Sequence, residues 1–201
     1  MDVVPDNRHL VAYWVGRIFH PYLLGLPTLI VIMKDLSGGE IVLWSTLILS
    51  LLLIPGLTLE THFRQKQRFV YQRNTRNPLY FTGWLSSLLC LLILVSFNAP
   101  RVLVACLLAL AVWVPIQWLI NRYITKISTH AAVVAGCASG LWLLGELSTP
   151  LAQILVIAMV LVTVWSRVIT KNHTPTQVVL GLLVGALPVL LVFPLLLGNQ
   201  I

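Results

Sequence analysis

Apolar residues in this chain come in long runs, not in the alternation of a half-buried strand or the narrow stripe of a soluble amphipathic helix. Seven runs lie near 15–33, 41–58, 79–97, 101–121, 131–147, 150–168 and 176–197. Stretches of about 17 to 25 apolar residues cross a hydrocarbon layer of about 30 Å as helices, which satisfy their own backbone hydrogen bonds. Polar or turn-forming joints separate the runs, among them Lys34-Asp35 with Ser37-Gly38-Gly39, and Asn98-Ala99-Pro100. The pattern predicts an all-α, polytopic membrane bundle of about six to seven transmembrane helices. The first run contains Arg17, His20 and Pro21. Residues 6–18 are therefore alternatively an interfacial lead-in, with the crossing beginning near Pro21.

Composition removes the soluble alternative. Of 201 residues, 58% are hydrophobic and 9% charged, and the mean hydropathy is +0.92, whereas a soluble domain carries about a quarter charged residues. No repeat or low-complexity segment stands out, and the short joints leave no room for a second domain, so residues 1–201 read as one integral membrane, multi-pass unit. The net charge of +7, from 13 Lys+Arg against 6 Asp+Glu, would point to nucleic acid in a soluble protein. Here it predicts no nucleic-acid partner but membrane lipids and an anionic lipid substrate. Cys90, Cys106 and Cys137 lie in apolar runs without metal-type spacing, so neither disulfides nor a metal site is predicted. The opening MDVVPDNRHL leads into no cleavage signal, and the N-terminus is expected to be retained. Oligomeric state has no readable signature.

Alternating crossings place the joints at 59–78, 122–130 and 166–175 on one face with the N-terminus. That face takes Arg8, Arg64, Lys66, Arg68, Arg73, Arg76, Arg122, Lys126, Arg167 and Lys171, ten of the 13 bases. The positive-inside rule makes it cytoplasmic, although a phosphate site gathers bases on its own face whichever compartment it opens to.

Ionisable groups at the ends of membrane helices are costly unless paired or facing water, which marks them for function. Three clusters qualify, all on the basic face. The first is Thr61-His62-Phe63 followed by RQKQRFVYQRNTRNP, otherwise a polybasic stretch binding headgroups. The second is Lys126, Ser128, Thr129 and His130, otherwise a helix N-cap beside an interfacial histidine. The third is Ser166, Arg167, Lys171, His173 and Gln177, in which Arg167 and Lys171 form an i,i+4 pair if the helix continues, and His173 and Gln177 share a face of the next one. Together they have a phosphate site's composition. Arginine grips phosphate oxygens in a fork, lysine adds a point charge, and a serine hydroxyl with backbone N–H groups at a helix start holds another oxygen. Of two histidines, one attacks phosphorus as neutral imidazole and the other protonates the leaving oxygen.

These residues resemble the motifs of the type-2 phosphatidic acid phosphatase superfamily, membrane enzymes related in their core to vanadium haloperoxidases. The family pattern is KxxxxxxRP, then PSGH, then SRxxxxxHxxxD. The third motif here is SRVITKNHTPTQ, with Ser166, Arg167 and His173 in place and Gln177 where the family has aspartate. The second is ISTH, matching at Ser128 and His130, with Ile127 and Thr129 replacing proline and glycine. In the first, Lys66 and Arg73 have the family separation but Asn74 follows, and Arg76, two residues before Pro78, is a rival. The resemblance implies a helical bundle with its active site at one membrane face. It implies His173 as the nucleophile forming a phosphohistidine and His130 as general acid. Lys66, Arg73 or Arg76, Ser128 and Arg167 would hold the phosphoryl oxygens, with the Thr129 backbone N–H helping, and no metal or cofactor is needed. Gln177 would hold the His173 imidazole through its amide oxygen.

The function expected is a metal-independent lipid phosphatase or diphosphatase acting on a phosphatidate-like or isoprenyl phosphate, or a phosphotransferase using the same intermediate. The alternatives are a catalytically silent relative that binds anionic lipid or scaffolds a membrane assembly, and a small transporter, because Pro21, Pro27, Pro55, Pro115, Pro188 and Pro194 interrupt crossings. Against transport, the ionisable groups gather at one face and not at the midplane. The small residues of Gly181-Leu-Leu-Val-Gly185 predict close helix packing, within the chain or in a dimer.

Overall fold

In this computed structural model the described residues are 7–65 and 77–198, and among them the regular structure is helical. The order is α1 (Asn7–Ile18), α2 (Pro21–Ile32), α3 (Gly38–Ile48), a π-helical segment (Leu49–Leu53), α4 (Ile54–Gln65), α5 (Asn77–Ser96), α6 (Arg101–Leu119), a second π segment (Ile120–Ile124), α7 (Thr129–Leu143), α8 (Pro150–Ile169) and α9 (Pro175–Leu197). Five stretches are long and apolar enough to cross a membrane: Gly38–His62, Asn77–Ser96, Arg101–Ile124, Pro150–Ile169 and Pro175–Leu197. The chain is a helical, multi-pass membrane protein.

The first run departs from a single straight crossing. Helix α1 ends at Ile18, Pro21 opens α2, and the two are bent by 47°. Pro21 favours this break, because its fixed φ suits a first helical turn while its ring disfavours helical backbone at His20; His20 is extended, with φ −65° and ψ 140°. Helix α2 alone has 12 residues, a length of about 18 Å, so it needs α1 to complete a span. Helix α7 is also short. Its 15 residues reach about 22 Å, and it lies against α9, α2 and α8 instead of lipid along most of its length.

Small residues allow that enclosure. A Cβ on Gly181 would stand 2.6 Å from the Ser128 carbonyl oxygen, one on Gly136 3.2 Å from the Gly185 oxygen, and one on Gly185 would overlap the Ala132 carbonyl. The contacts run in register, Ser128 with Gly181, Ala132 with Gly185, Gly140 with Val189 and Phe193, so α7 and α9 are parallel and in backbone contact. The small-residue motif at 181–185 thus works within the chain, as in other close membrane-helix pairs.

Burial divides the bundle into two ends. Away from the basic joints the interior is apolar: Met33, Trp44, Ile48, Cys90, Leu94, Leu103 and Leu107 form one cluster, and Ala105, Ala109, Val192, Phe193 and Leu197 another. At the opposite end the buried residues include Gln117, Asn121, Ser128, Thr163, Ser166, Arg167 and His173. The outer face of α8 shows Leu151, Ile154, Leu155, Ile157, Leu161 and Trp165, the spacing of a lipid-facing stripe. Its last turn aims Ser166 and Arg167 inward.

Candidate active site

The third motif is built by a helix end and a turn. Thr170 closes α8, its hydroxyl donating to the Ser166 carbonyl at 2.7 Å. Lys171 then takes a left-handed conformation, with φ +53°, and the chain folds back so that the His173 N–H donates to the Arg167 carbonyl at 3.2 Å. Arg167 and His173 are thereby adjacent and buried. The turn ends α8 before residue 171, so Lys171 and Arg167 do not form the helical i,i+4 pair expected from sequence. His173 likewise precedes the N-cap of α9, Thr174, and shares no helical face with Gln177.

The second motif meets the third from α7. The Ser128 N–H donates to the Gln177 carbonyl at 3.2 Å, while the Ser128 Oγ caps α7 by accepting from the Ala131 N–H at 3.3 Å. Lys126 Nζ donates to the Asn172 carbonyl at 3.2 Å, bridging the two joints. His130, in the first turn of α7, has Arg167, His20 and His173 within electrostatic reach. Beside them opens a groove of about 450 Å³ lined by Lys126, Lys171, Asn172, His173, Thr174 and Gln177. A buried guanidinium, two imidazoles and a basic groove form an arrangement suited to a phosphate ester.

Gln177 has a role that its position in the motif does not reveal. Its amide oxygen accepts from the Thr174 N–H at 3.3 Å and its amide nitrogen donates to Thr125 Oγ1 at 3.2 Å, while its N–H donates to Thr174 Oγ1 at 3.3 Å. These bonds make a capping box for α9 and tie it to the 120–128 joint. The hydrogen bonds found for the Gln177 side chain thus go to Thr174 and Thr125, not to His173. Lys66, Arg73 and Arg76 lie outside the described residues.

Three participants carry no motif signal. Gln117, fully buried in α6, donates through Nε2 to Thr129 Oγ1 at 2.7 Å and to the Tyr80 hydroxyl at 3.2 Å. The threonine that replaces the family's glycine thus has its hydroxyl satisfied from beneath. Gly16 presents its carbonyl to His130 Nε2 at 3.2 Å. His20 packs edge-on to His130, with ring centroids 5.5 Å apart. Only a polar residue inside the apolar run 101–121, and the His-Pro step at 20–21, could have hinted at Gln117 and His20.

Fold and site define a multi-pass membrane protein with paired histidines and a buried arginine at one end of the bundle. Residues 117–200 match the model of the PAP2 superfamily, spanning α7, α8, α9 and both described motifs. The match, over the C-terminal part of the chain, supports membership of that superfamily. The match supports a phosphatase-type function, since PAP2 members are generally phosphatases. No curated protein and no solved structure matches the chain.

Proposed function

We propose that the protein is a metal-independent lipid phosphatase or diphosphatase working through a phosphohistidine. The observation that carries this reading is the meeting of Arg167 and His173 from one joint with His130 from another, beside a basic groove at the polar end of an otherwise apolar bundle. A lipid phosphate has matching chemistry, because its tail is soluble beside the apolar helices while its headgroup reaches the bundle end. An imidazole nitrogen of His173 attacks phosphorus, the bond from phosphorus to the ester or bridging oxygen breaks, and that oxygen takes a proton from His130. Water then attacks the phosphohistidine, His130 takes the water proton, the phosphorus–nitrogen bond breaks and inorganic phosphate leaves. Arg167 and the Ser128 hydroxyl bind the equatorial oxygens, joined in this reading by Lys66 and Arg73 or Arg76.

The second reading is a silent relative that binds anionic lipid, favoured by one observation: the Gln177 amide is engaged by Thr174 and Thr125. Phosphate release from phosphatidate, lysophosphatidate, phosphatidylglycerophosphate and isoprenyl mono- and diphosphates, with EDTA present, separates the two. Turnover lost by at least a thousandfold in His173→Ala supports the phosphatase. A folded wild type that binds these lipids and releases no phosphate establishes the silent relative.

A further inference from the structure

Helix α1 carries no residue of any motif, yet it touches three of them. The Ser166 hydroxyl donates to the Ala12 carbonyl at 2.7 Å. The Gly16 carbonyl lies 3.2 Å from His130 Nε2. A Cβ placed on Gly16 would stand 2.9 Å from Arg167 Nη1 and 3.0 Å from Ser166 Oγ. Ala12 and Gly16 are buried on this face, whereas Leu10, Tyr13, Trp14 and Ile18 are exposed on the other. At the following elbow, His20 stands against both Tyr22 and His130.

We infer that the α1–α2 elbow is a wall of the active site, in which the Gly16 carbonyl is the positioning acceptor for His130 and the missing side chain of Gly16 is the seat of the Arg167 guanidinium. A carbonyl oxygen only accepts hydrogen bonds, so the ring nitrogen facing it carries the proton. This holds the neutral ring as its Nε2–H tautomer and leaves Nδ1 to exchange a proton with substrate. When both nitrogens are protonated, the carbonyl retains Nε2–H and the proton given up comes from Nδ1. The logic is that of the orienting acceptor in a histidine triad, with a backbone dipole in place of a carboxylate. A backbone acceptor does not itself titrate. The groups facing His130 that do carry or take charge are His20 from the elbow, Arg167 from α8 and His173 from the α8–α9 joint.

The kinetic consequence rests on the phosphatase reading, whereas the tautomer does not, and the experiment measures both. Full-length protein labelled with ¹⁵N-histidine is placed in lipid nanodiscs, and the His130 resonances are assigned by their loss in His130→Ala. Wild type is expected to show His130 as the Nε2–H tautomer at neutral pH. Gly16→Ala adds a good helix former, so the helix is retained, while its Cβ crowds the guanidinium and shifts the carbonyl. The expected result is mixed His130 tautomers and a kcat for phosphate release lower by at least tenfold, within the range general-acid catalysis contributes. Gly25→Ala, whose Cβ would meet open space, should change neither. An Nδ1–H tautomer in wild type, or unaltered tautomer and kcat in Gly16→Ala, overturns the inference. A wild type with the Nε2–H tautomer and no phosphate release leaves the wall in place and removes the phosphatase reading instead.

Discussion

A glutamine amide buried in a membrane-crossing helix is costly unless its hydrogen bonds are made, because hydrocarbon offers no partners. Gln117 meets the donor half of this demand through Nε2, which donates to Thr129 and Tyr80, while its buried Oε1 finds no hydrogen-bond partner among the described residues; the two donated bonds join α5 and α6 to the first residue of α7. Thr129 is next to both Ser128 and His130, so the placement of the second motif depends on this amide. Gln117→Leu keeps most of the volume and leaves two half-buried hydroxyls without their donor. The expected cost is about 1 to 3 kcal/mol, read as a lower midpoint in thermal unfolding of the detergent-solubilised protein. Gln117→Glu is the informative companion. A carboxylate accepts from both hydroxyls where the amide donated, so partial recovery of the midpoint relative to Gln117→Leu would show that the polar link matters more than its direction.

Among elements, the α7–α9 pair sets the geometry, since it holds His130 and the turn after His173 in one rigid unit. Gly185→Val would drive a side chain into the Ala132 backbone, which no rotamer can avoid, so α7 and α9 must separate. The expected outcome is a loss of about 1 to 3 kcal/mol or more and a smaller folded fraction after purification; Gly83→Ala, on α5 with open space around it, should leave both unchanged. The same pair shows what a sequence can disclose. Runs at 79–97, 101–121, 150–168 and 176–197 lie close to α5, α6, α8 and α9 because apolar length alone marks a crossing. The run at 131–147 is displaced from Thr129–Leu143, because the Ser128 cap starts the helix early and Gly145, with φ +73°, ends it. The bend at residues 19–20 was half legible in Pro21. Motif side chains single out His130, Arg167 and His173 in the sequence, and the bundle brings these three to one end. Ala12 and Gly16 are not singled out there, because a backbone carbonyl that accepts a bond from a residue more than a hundred positions away leaves no mark on residue type.

At the scale of the whole molecule the two ends differ in chemistry, and that difference bears on orientation. The end away from the site is closed by an ion pair, Lys34 Nζ to Glu146 at 2.6 Å, between the α2–α3 and α7–α8 joints. The hydrogen bond to Glu146 raises Lys34 above its ordinary ammonium range. The site end holds Lys126, Arg167 and Lys171. Two causes gather bases at one end, a topology signal read during insertion and a demand for phosphate binding, and they differ in what they imply about the compartment. The positive-inside rule, taken alone, sends Lys171 to the cytoplasm and Asp35 to the outside. With native cysteines removed, Asp35→Cys and Lys171→Cys report each end, since both positions are exposed and lie in joints outside the helices. A membrane-impermeant maleimide is expected to label Asp35→Cys in intact cells and Lys171→Cys only after permeabilisation. Labelling of both positions from one side would overturn the alternating arrangement itself. The reverse pattern would keep that arrangement and assign the bases to substrate binding, with the phosphate site facing away from the cytoplasm.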